Sequence, residues 1–442
     1  MSRSRAAGAA IHFGPAARAA AQALVALVIA TPAAAALDMA ETLREVVTAH
    51  PTLAVRAAEV DAARRRVGPA GAWPAPMVEA GVMNVPTSGS FDTDPMTMKT
   101  IGLEQTVPVF GANGRARRSA RAAVAAAEAG AEQTRFDLLG AAWQAYADAY
   151  YAARLSALAA THHVILDRMV EAARVRYETG HGRLEDVLRS QAEQASLDAD
   201  LAMFRAEARA ARARLDALRG VAAGAPAGAD SLAAPPDVTV PESTDPWLAA
   251  LTDAHPRLRG QTAEIERWRQ AAGAERRRTW PDLELRGSYG RREAIMGVPQ
   301  DNMFSASVGF TLPLFAGNRS SQAGEMDAMA RASEAERRAA DLDLRAGITE
   351  AHAEALGARS RAALIADTVI VTQRRALEAA WSAYRAGGGD MWRVFESTHA
   401  IYDDEVAAIR ARQGLAHAMA RFVALTGRAD LAGVALPRED RR

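Results

Sequence analysis

Four short stretches of the chain alternate apolar and polar residues, and most of the remainder carries a helical period. In the last of the four, Phe304, Ala306, Val308, Phe310, Leu312 and Leu314 share one side, and Ser305, Ser307, Gly309 and Thr311 the other. Leu283, Leu285 and Tyr289 alternate with Glu284, Arg286 and Ser288. Ile101, Leu103, Val107 and Val109 alternate with Thr100, Gly102, Glu104 and Thr106; Val78, Ala80 and Val82 do so more weakly with Glu79 and Gly81. This period predicts strands with two unlike faces. Each run is about ten residues, the length a tilted strand needs to cross a bilayer. An ordinary antiparallel sheet with one wet face shows the same pattern.

The helical segments decide between these readings. From Asn113 to Tyr177 there is no proline and little glycine. A helix of that length is on the order of 95 Å long, too long for one globular core, so it needs coiled-coil partners. Phe136, Trp143 and Tyr150 lie seven apart, as do Leu139, Tyr146 and Ala153. The same spacing relates Leu197, Phe204, Ala211 and Leu218; Leu344, Ala351, Ala358 and Ile365; and Val394, Ile401, Ala408, Leu415 and Phe422. Small residues in these seams suit many helices packed closely around a wide tube. Four strands cannot close a barrel, and an open sheet edge is prohibitive in lipid. Transmembrane strands therefore require several chains, and three would supply about twelve strands.

The pattern occurs twice. "VPVFGANGRARRSARAA" from Val107 answers to "LPLFAGNRSSQAGEMDA" from Leu312, "AHPTL" (49–53) to "AHPRL" (254–258), and "WPAPMVEAG" (73–81) to "WPDLELRGS" (280–288). "YETGHGRLEDVL" (177–188) answers to "YRAGGGDMWRVF" (384–395), and "LRG" (218–220) to "LTG" (425–427). A constant order means an internal duplication. The expected units are 37–223 and 247–428, joined by a Pro/Gly-rich crossover at 224–246 that reads as irregular rather than packed, with a tail at 429–442.

Composition narrows the setting. Arg3, Arg5 and Arg18 precede an apolar run from Ala19 to Ala30 and then "TPAAAALD". This has the parts of a secretory signal, expected to span 1–36. Removing those three arginines from 53 basic residues leaves 50 against 53 acidic ones, so the exported chain is mildly acidic and does not suggest a nucleic-acid partner. Without cysteine there is no disulfide, no thiolate metal site and no residue to carry an N-terminal lipid. No phosphate-cradling glycine loop, H-E-x-x-H or nucleophile elbow is present, so no enzyme is expected, and no cofactor.

On these residues the chain resembles the TolC-like outer-membrane efflux proteins over nearly its whole mature length, most specifically in "RYETGHGRLEDVL" and "YRAGGGDMWRVFE". The resemblance implies a mainly α fold with a small β part: long antiparallel coiled-coil hairpins and four transmembrane strands per chain. It implies a homotrimer with a shared 12-strand barrel in outer-membrane lipid and a helical tunnel in the periplasm. The implied role is an exit duct, with a periplasmic adaptor and an inner-membrane RND-type pump as partners. "WPAPMVEAGVMNVPTSG" and "MTMKTIGLEQTVPVFG", through "N-V-P" and "M-T-M", look most like the heavy-metal (CzcC/CusC-like) branch. A duct for drugs, other organic compounds or type I secretion is the alternative cargo reading. A periplasmic coiled-coil scaffold without a pore and a periplasmic metal-binding protein are the readings from other classes.

The same resemblance places Tyr177, Gly180, Tyr384 and Gly387 at the periplasmic tip turns, and Asp186, Arg393 and Glu396 at the tunnel entrance. An acidic position of the family falls on Arg393, so a contact between Arg393 and Glu396 of neighbouring chains is an alternative to a double acidic ring. Pro108 with Gly111, and Pro313 with Gly317, mark the strand-to-helix junctions. His181 beside the turn and His399 three residues past Glu396 are the candidate metal ligands. His162 and His163, adjacent on a helix, point to different faces and are expected at the surface. Met96 and Met98 could offer soft thioether ligands, but a loop beside a bilayer explains them.

Overall fold

The computed structural model describes residues 36–221, 231–252, 254–312, 316–386, 390–428 and 430. The expected leader, apart from Ala36, and the expected tail, apart from Asp430, lie outside them. Along the chain run helices α1 (Met39–Ala49) and α2 (Pro51–Ala70), strands β1 (Met77–Met83) and β2 (Met98–Val107), then α3 (Ala112–Glu178) and α4 (Leu184–Leu218). The second half repeats the order with α5 (Asp245–Ala250), α6 (Pro256–Arg277), β3 (Leu283–Arg292), β4 (Met303–Phe310) and α7 (Ala316–Leu364). A π-helical turn at Ile365–Val369, α8 (Ile370–Arg385) and α9 (Met391–Thr426) complete it. The repeated "AHP" has a local cause. His50 and His255 are N-caps whose imidazoles accept the N–H of Thr52 and Arg257, and each is followed by a proline at the first helical position. Proline has no N–H to waste there and its φ is already helical.

The strands form one antiparallel sheet in the order β1-β2-β3-β4. Its register pairs Val78 with Leu103, Ile101 with Tyr289, Leu285 with Val308, and Tyr289 with Phe304. The apolar residues of all four strands therefore share one face. Among the described residues nothing covers it: Val78 is 65% exposed, Phe304 75% and Phe310 65%. On the other face Arg286 donates to Glu104 at 2.5 Å. β1 and β4 each leave one edge unpaired among the described residues. β1 and β4 have seven and eight residues, shorter than the runs of about ten that the alternation suggests. β2 stops at Val107, because Pro108 has no N–H to extend a ladder; Val109, expected in the strand, lies in the turn.

Below the sheet, α3 packs against α2 on one side and α6 on the other, and α6 against α7. Each helix continues one strand of the layer above. The 67-residue α3 is on the order of 100 Å long and is shared by every lower layer: it contacts α4 and α9 along its second half. The main core encloses Leu139, Trp143, Tyr146 and Phe422 completely.

Three expectations are corrected here. The described part of the crossover, 231–246, is packed against the core. Val240 is buried, Leu232 and Val238 lie on the core, and Leu232 bridges to Leu37. The cause is a core hydroxyl that needs an acceptor: Tyr146 Oη lies 2.7 Å from the Leu37 carbonyl oxygen and 2.8 Å from that of Ala233. Second, the α3 heptads do not continue as written. Ala153 is exposed and Tyr150 half-buried, while Ala149, Ala152 and Leu155 follow Tyr146 into the core. Spacings of three move the seam around the helix, and a seven-residue repeat resumes through Leu155, His162 and Met169. Third, the long helix of the second half is interrupted. The π turn adds a residue after Ala362, so the next buried position is Ile370.

Candidate functional site

The end of the molecule farthest from the sheet is built from two hairpin turns. In the first, Gly180 has φ +75°, a conformation that costs an L-residue about 1–2 kcal/mol. Gly182 is needed for a different reason: a Cβ there would lie 2.9 Å from the backbone nitrogen of Tyr177 and 3.1 Å from Arg176. The turn folds back so tightly that only a hydrogen fits. Gly387, expected in the second turn, lies outside the described residues. After it, Asp390 caps α9 by accepting the Trp392 N–H at 3.1 Å.

Arg176 joins the two hairpins. Its guanidinium sits 4.6 Å from the centre of the Tyr384 ring, donates to the Tyr384 hydroxyl, and donates to the His181 carbonyl at 3.0 Å. One side chain thus ties the first turn to the second hairpin. A second bridge stands one helix over, where Arg189 of α4 lies 4.7 Å from the Trp392 ring of α9. Beneath them Met169, Met391, Val394 and Phe395 form a small buried cluster, flanked by Trp381 and Tyr384.

The expected entrance residues lie just past these bridges. Arg393 and Glu396 are exposed on the first turns of α9, and Asp186 is half-buried on the first turn of α4. The structure does not join Arg393 to Glu396 within the chain. Arg176, Arg189 and Trp392 were not singled out from the sequence. Their signal was a break in the repeat: Arg176 answers to Ala383, and Trp392 to Glu185. In each bridge at least one partner differs between the copies, while Tyr384 keeps its counterpart in Tyr177.

Farther along the bundle, histidines lie beside carboxylates of neighbouring helices. His162 is buried, correcting its expected place at the surface, because the reset α3 seam turns it inward. Its Nε2 lies 2.9 Å from Glu405 Oε2, and its ring is 5.1 Å from Tyr402. That hydrogen bond, with help from Arg374, holds the Glu405 carboxyl below the usual range against the opposing effect of burial. His163 lies 2.9 Å from Asp198 of α4, and His417 2.7 Å from Asp148 of α3. Burial would raise Asp148; hydrogen bonds from His417 and Gln413 reverse it and leave the carboxyl low. His399 stands 3.4 Å from both Glu193 and Asp403, not with Glu396, and His181 is exposed at the turn. Among the described residues no three His, Asp or Glu side chains converge as metal ligands, so neither histidine gains a site. Met96 and Met98 separate: Met96 is exposed, and Met98 rests its sulfur over Gly290.

At the strand-to-helix junction Pro108 ends β2, and Gly111, with φ +77°, is the N-cap of α3. Arg277 donates to the Phe110 carbonyl at 3.0 Å, and the Phe110 and Trp280 rings lie 5.2 Å apart. Gly317 lies at the start of α7, while Pro313 is outside the described residues.

The sequence matches the outer membrane efflux protein family over residues 42–221 and again over 247–428. The chain belongs to that family. Members of it are transport ducts and not enzymes. Among solved structures, the outer-membrane channel OprN superposes with a TM-score of 0.75 at 19% identity, over 88% of this chain and 89% of that one. The outer membrane protein VceC from Vibrio cholerae gives 0.73 at 18% identity, over 88% and 96%. CusC, solved in a study of folding and transmembrane channel formation, gives 0.70 at 13% identity, over 88% and 91%. At these identities the likeness is one of fold. No curated protein is similar to the chain at a significant level.

Proposed function

We propose that this protein is the outer-membrane exit duct of a tripartite export system, a homotrimer that passively conducts cargo delivered by a periplasmic adaptor and an inner-membrane pump. The observation that carries the reading is the sheet. Its apolar face is bare and its two edges are open, a state that water and lipid both penalise until other strands close it. Three copies joined β4 to β1 make twelve strands, and their helices continue the tube into the periplasm. A soluble scaffold would leave that face without a purpose. The tip is the gate. It rests closed through the Arg176–Tyr384 and Arg189–Trp392 bridges, with Asp186, Arg393 and Glu396 lining the entrance, and adaptor contact opens it.

The cargo we propose is heavy-metal cations. The support is the resemblance of the first hairpin, whose motif residues also have structural work: Thr97 Oγ1 donates to the Asn84 carbonyl at 2.7 Å and closes the loop. Passive conduction needs no metal site in the chain; carboxylates near a constriction favour cations by concentrating negative potential. The test is growth of a deletion strain, with plasmid complementation, on Cu, Ag, Zn, Co, Cd, detergents and dyes. Sensitivity confined to a set of metals supports the cargo. Sensitivity to dyes and detergents alone keeps the duct and replaces metals with organic compounds.

A further inference from the structure

Each of the four helices beneath the sheet places at least one arginine without a carboxylate partner, among the described residues, within two turns of its strand-facing end. These are Arg66 near the end of α2, Arg117 near the start of α3, Arg277 at the end of α6, and Arg319 near the start of α7. All four are exposed. Neighbouring arginines are engaged elsewhere: Arg276 pairs with Asp327, Arg278 with Glu275, and Arg115 and Arg118 donate to the Gln270 amide oxygen. At the same level stand Trp73, 59% exposed, Trp280, 57% exposed, and Phe110 stacked on Trp280. Exposed indoles below an uncovered apolar sheet mark the depth where hydrocarbon gives way to headgroups. The far end of the sheet differs. There Lys99 pairs with Glu293, and Arg292, the last residue of β3, donates to the Asp301 carbonyl at 2.6 Å and the Pro95 carbonyl at 3.1 Å.

We infer that the four guanidiniums form a collar that binds the phosphate headgroups of phospholipids in the leaflet facing the helices, with a preference for anionic lipid. The inference rests on the barrel reading above. The chemistry fits: a guanidinium fork matches phosphate oxygens in two parallel hydrogen bonds, and the long apolar stem lets the group reach toward the interface while its backbone stays in the helix. Repetition on all four helices gives the collar no gap at the subunit boundary of a closed ring.

Trp73 and Trp280 supply the probe. The protein is reconstituted in bilayers doped with brominated phosphatidylglycerol or brominated phosphatidylcholine, and indole quenching gives the binding of one lipid relative to the other. Near an anionic surface each cation favours binding by about fivefold. The expected ratio is therefore about five per site for the native protein. It should fall to about one in the Arg66→Gln/Arg117→Gln/Arg277→Gln/Arg319→Gln variant and persist in the matching quadruple Lys variant. An equal ratio for the native protein, or one unchanged by the Gln substitutions while the protein still conducts, overturns the collar. Altered ion selectivity with an unchanged lipid ratio also overturns it, by placing these groups on the lumen. No quenching by either lipid overturns the membrane reading together with the collar.

Discussion

Removing the Arg176 bridge should open the resting duct. The bridge has three components in each chain: the guanidinium over the Tyr384 ring, its bond to the Tyr384 hydroxyl, and its bond to the His181 carbonyl. Arg176 is exposed, so each component is discounted for water. A cation–π contact at such a site contributes about 0.5–1 kcal/mol, and an exposed charge-assisted bond a similar amount. Replacing Arg176 with Gln therefore costs the closed tip about 1.5–3 kcal/mol per chain. Three bridges released together sum to about 4.5–9 kcal/mol, a shift of the closed-to-open ratio on the order of 1,000- to 1,000,000-fold. Tyr384→Phe keeps the ring and loses only the hydroxyl bond, one component of three, so its effect should be about a third as large on the energy scale. Single-channel recording in planar bilayers measures both. The double variant Arg176→Gln/Tyr384→Phe should add little to Arg176→Gln, since both remove one interaction. Resting conductance unchanged by Arg176→Gln, or fully additive effects of the pair, would refute the bridge as a gate element.

Other consequences are separable from that one. Arg393→Ala with Glu396→Ala should raise resting conductance further, and unchanged traces would remove both from the entrance. Gly182→Ala places a methyl against the backbone of Arg176 and Tyr177; it should destabilise the turn by about 1–3 kcal/mol and appear as faster amide exchange confined to the tip. Glu405 and Asp148 are held below their ordinary range, so the unfolded chain takes up their protons first as pH falls. Their stabilisation is present above the ordinary carboxylate range, about pH 4, and is lost as pH falls through the lower folded values. The melting temperature should be level from pH 7 to 5 and drop below that, less steeply in Glu405→Gln. Trp143 is fully buried with its Nε1 unpaired. Trp143→Phe should cost under about 1.5 kcal/mol, because relief of the unpaired N–H offsets the cavity. Tyr146→Phe should cost about 1–2 kcal/mol by leaving the Ala233 carbonyl without its hydroxyl donor, while the Leu37 carbonyl keeps the Ala233 N–H; chemical denaturation compares the two.

Much of this architecture was present in one dimension. Strand faces follow from period-two alternation, because successive side chains of a strand leave on opposite sides whatever the fold. The duplication, the unbroken length of α3 and the caps at His50, His255 and Gly180 are likewise local: each depends on a few neighbouring residues and on backbone sterics. Tertiary structure decided what depends on partners. The heptads of α3 reset after Tyr146 because the crossover and α9 occupy its flank, which brought His162 inside. The crossover became core because a hydroxyl from another segment needed its carbonyl. The Arg176–Tyr384 bridge joins side chains 208 positions apart, and no local period places two copies of a repeat side by side. Sequence determined which surfaces each element carries; only packing determined which surfaces meet, since a helix offers several faces and its neighbours select among them.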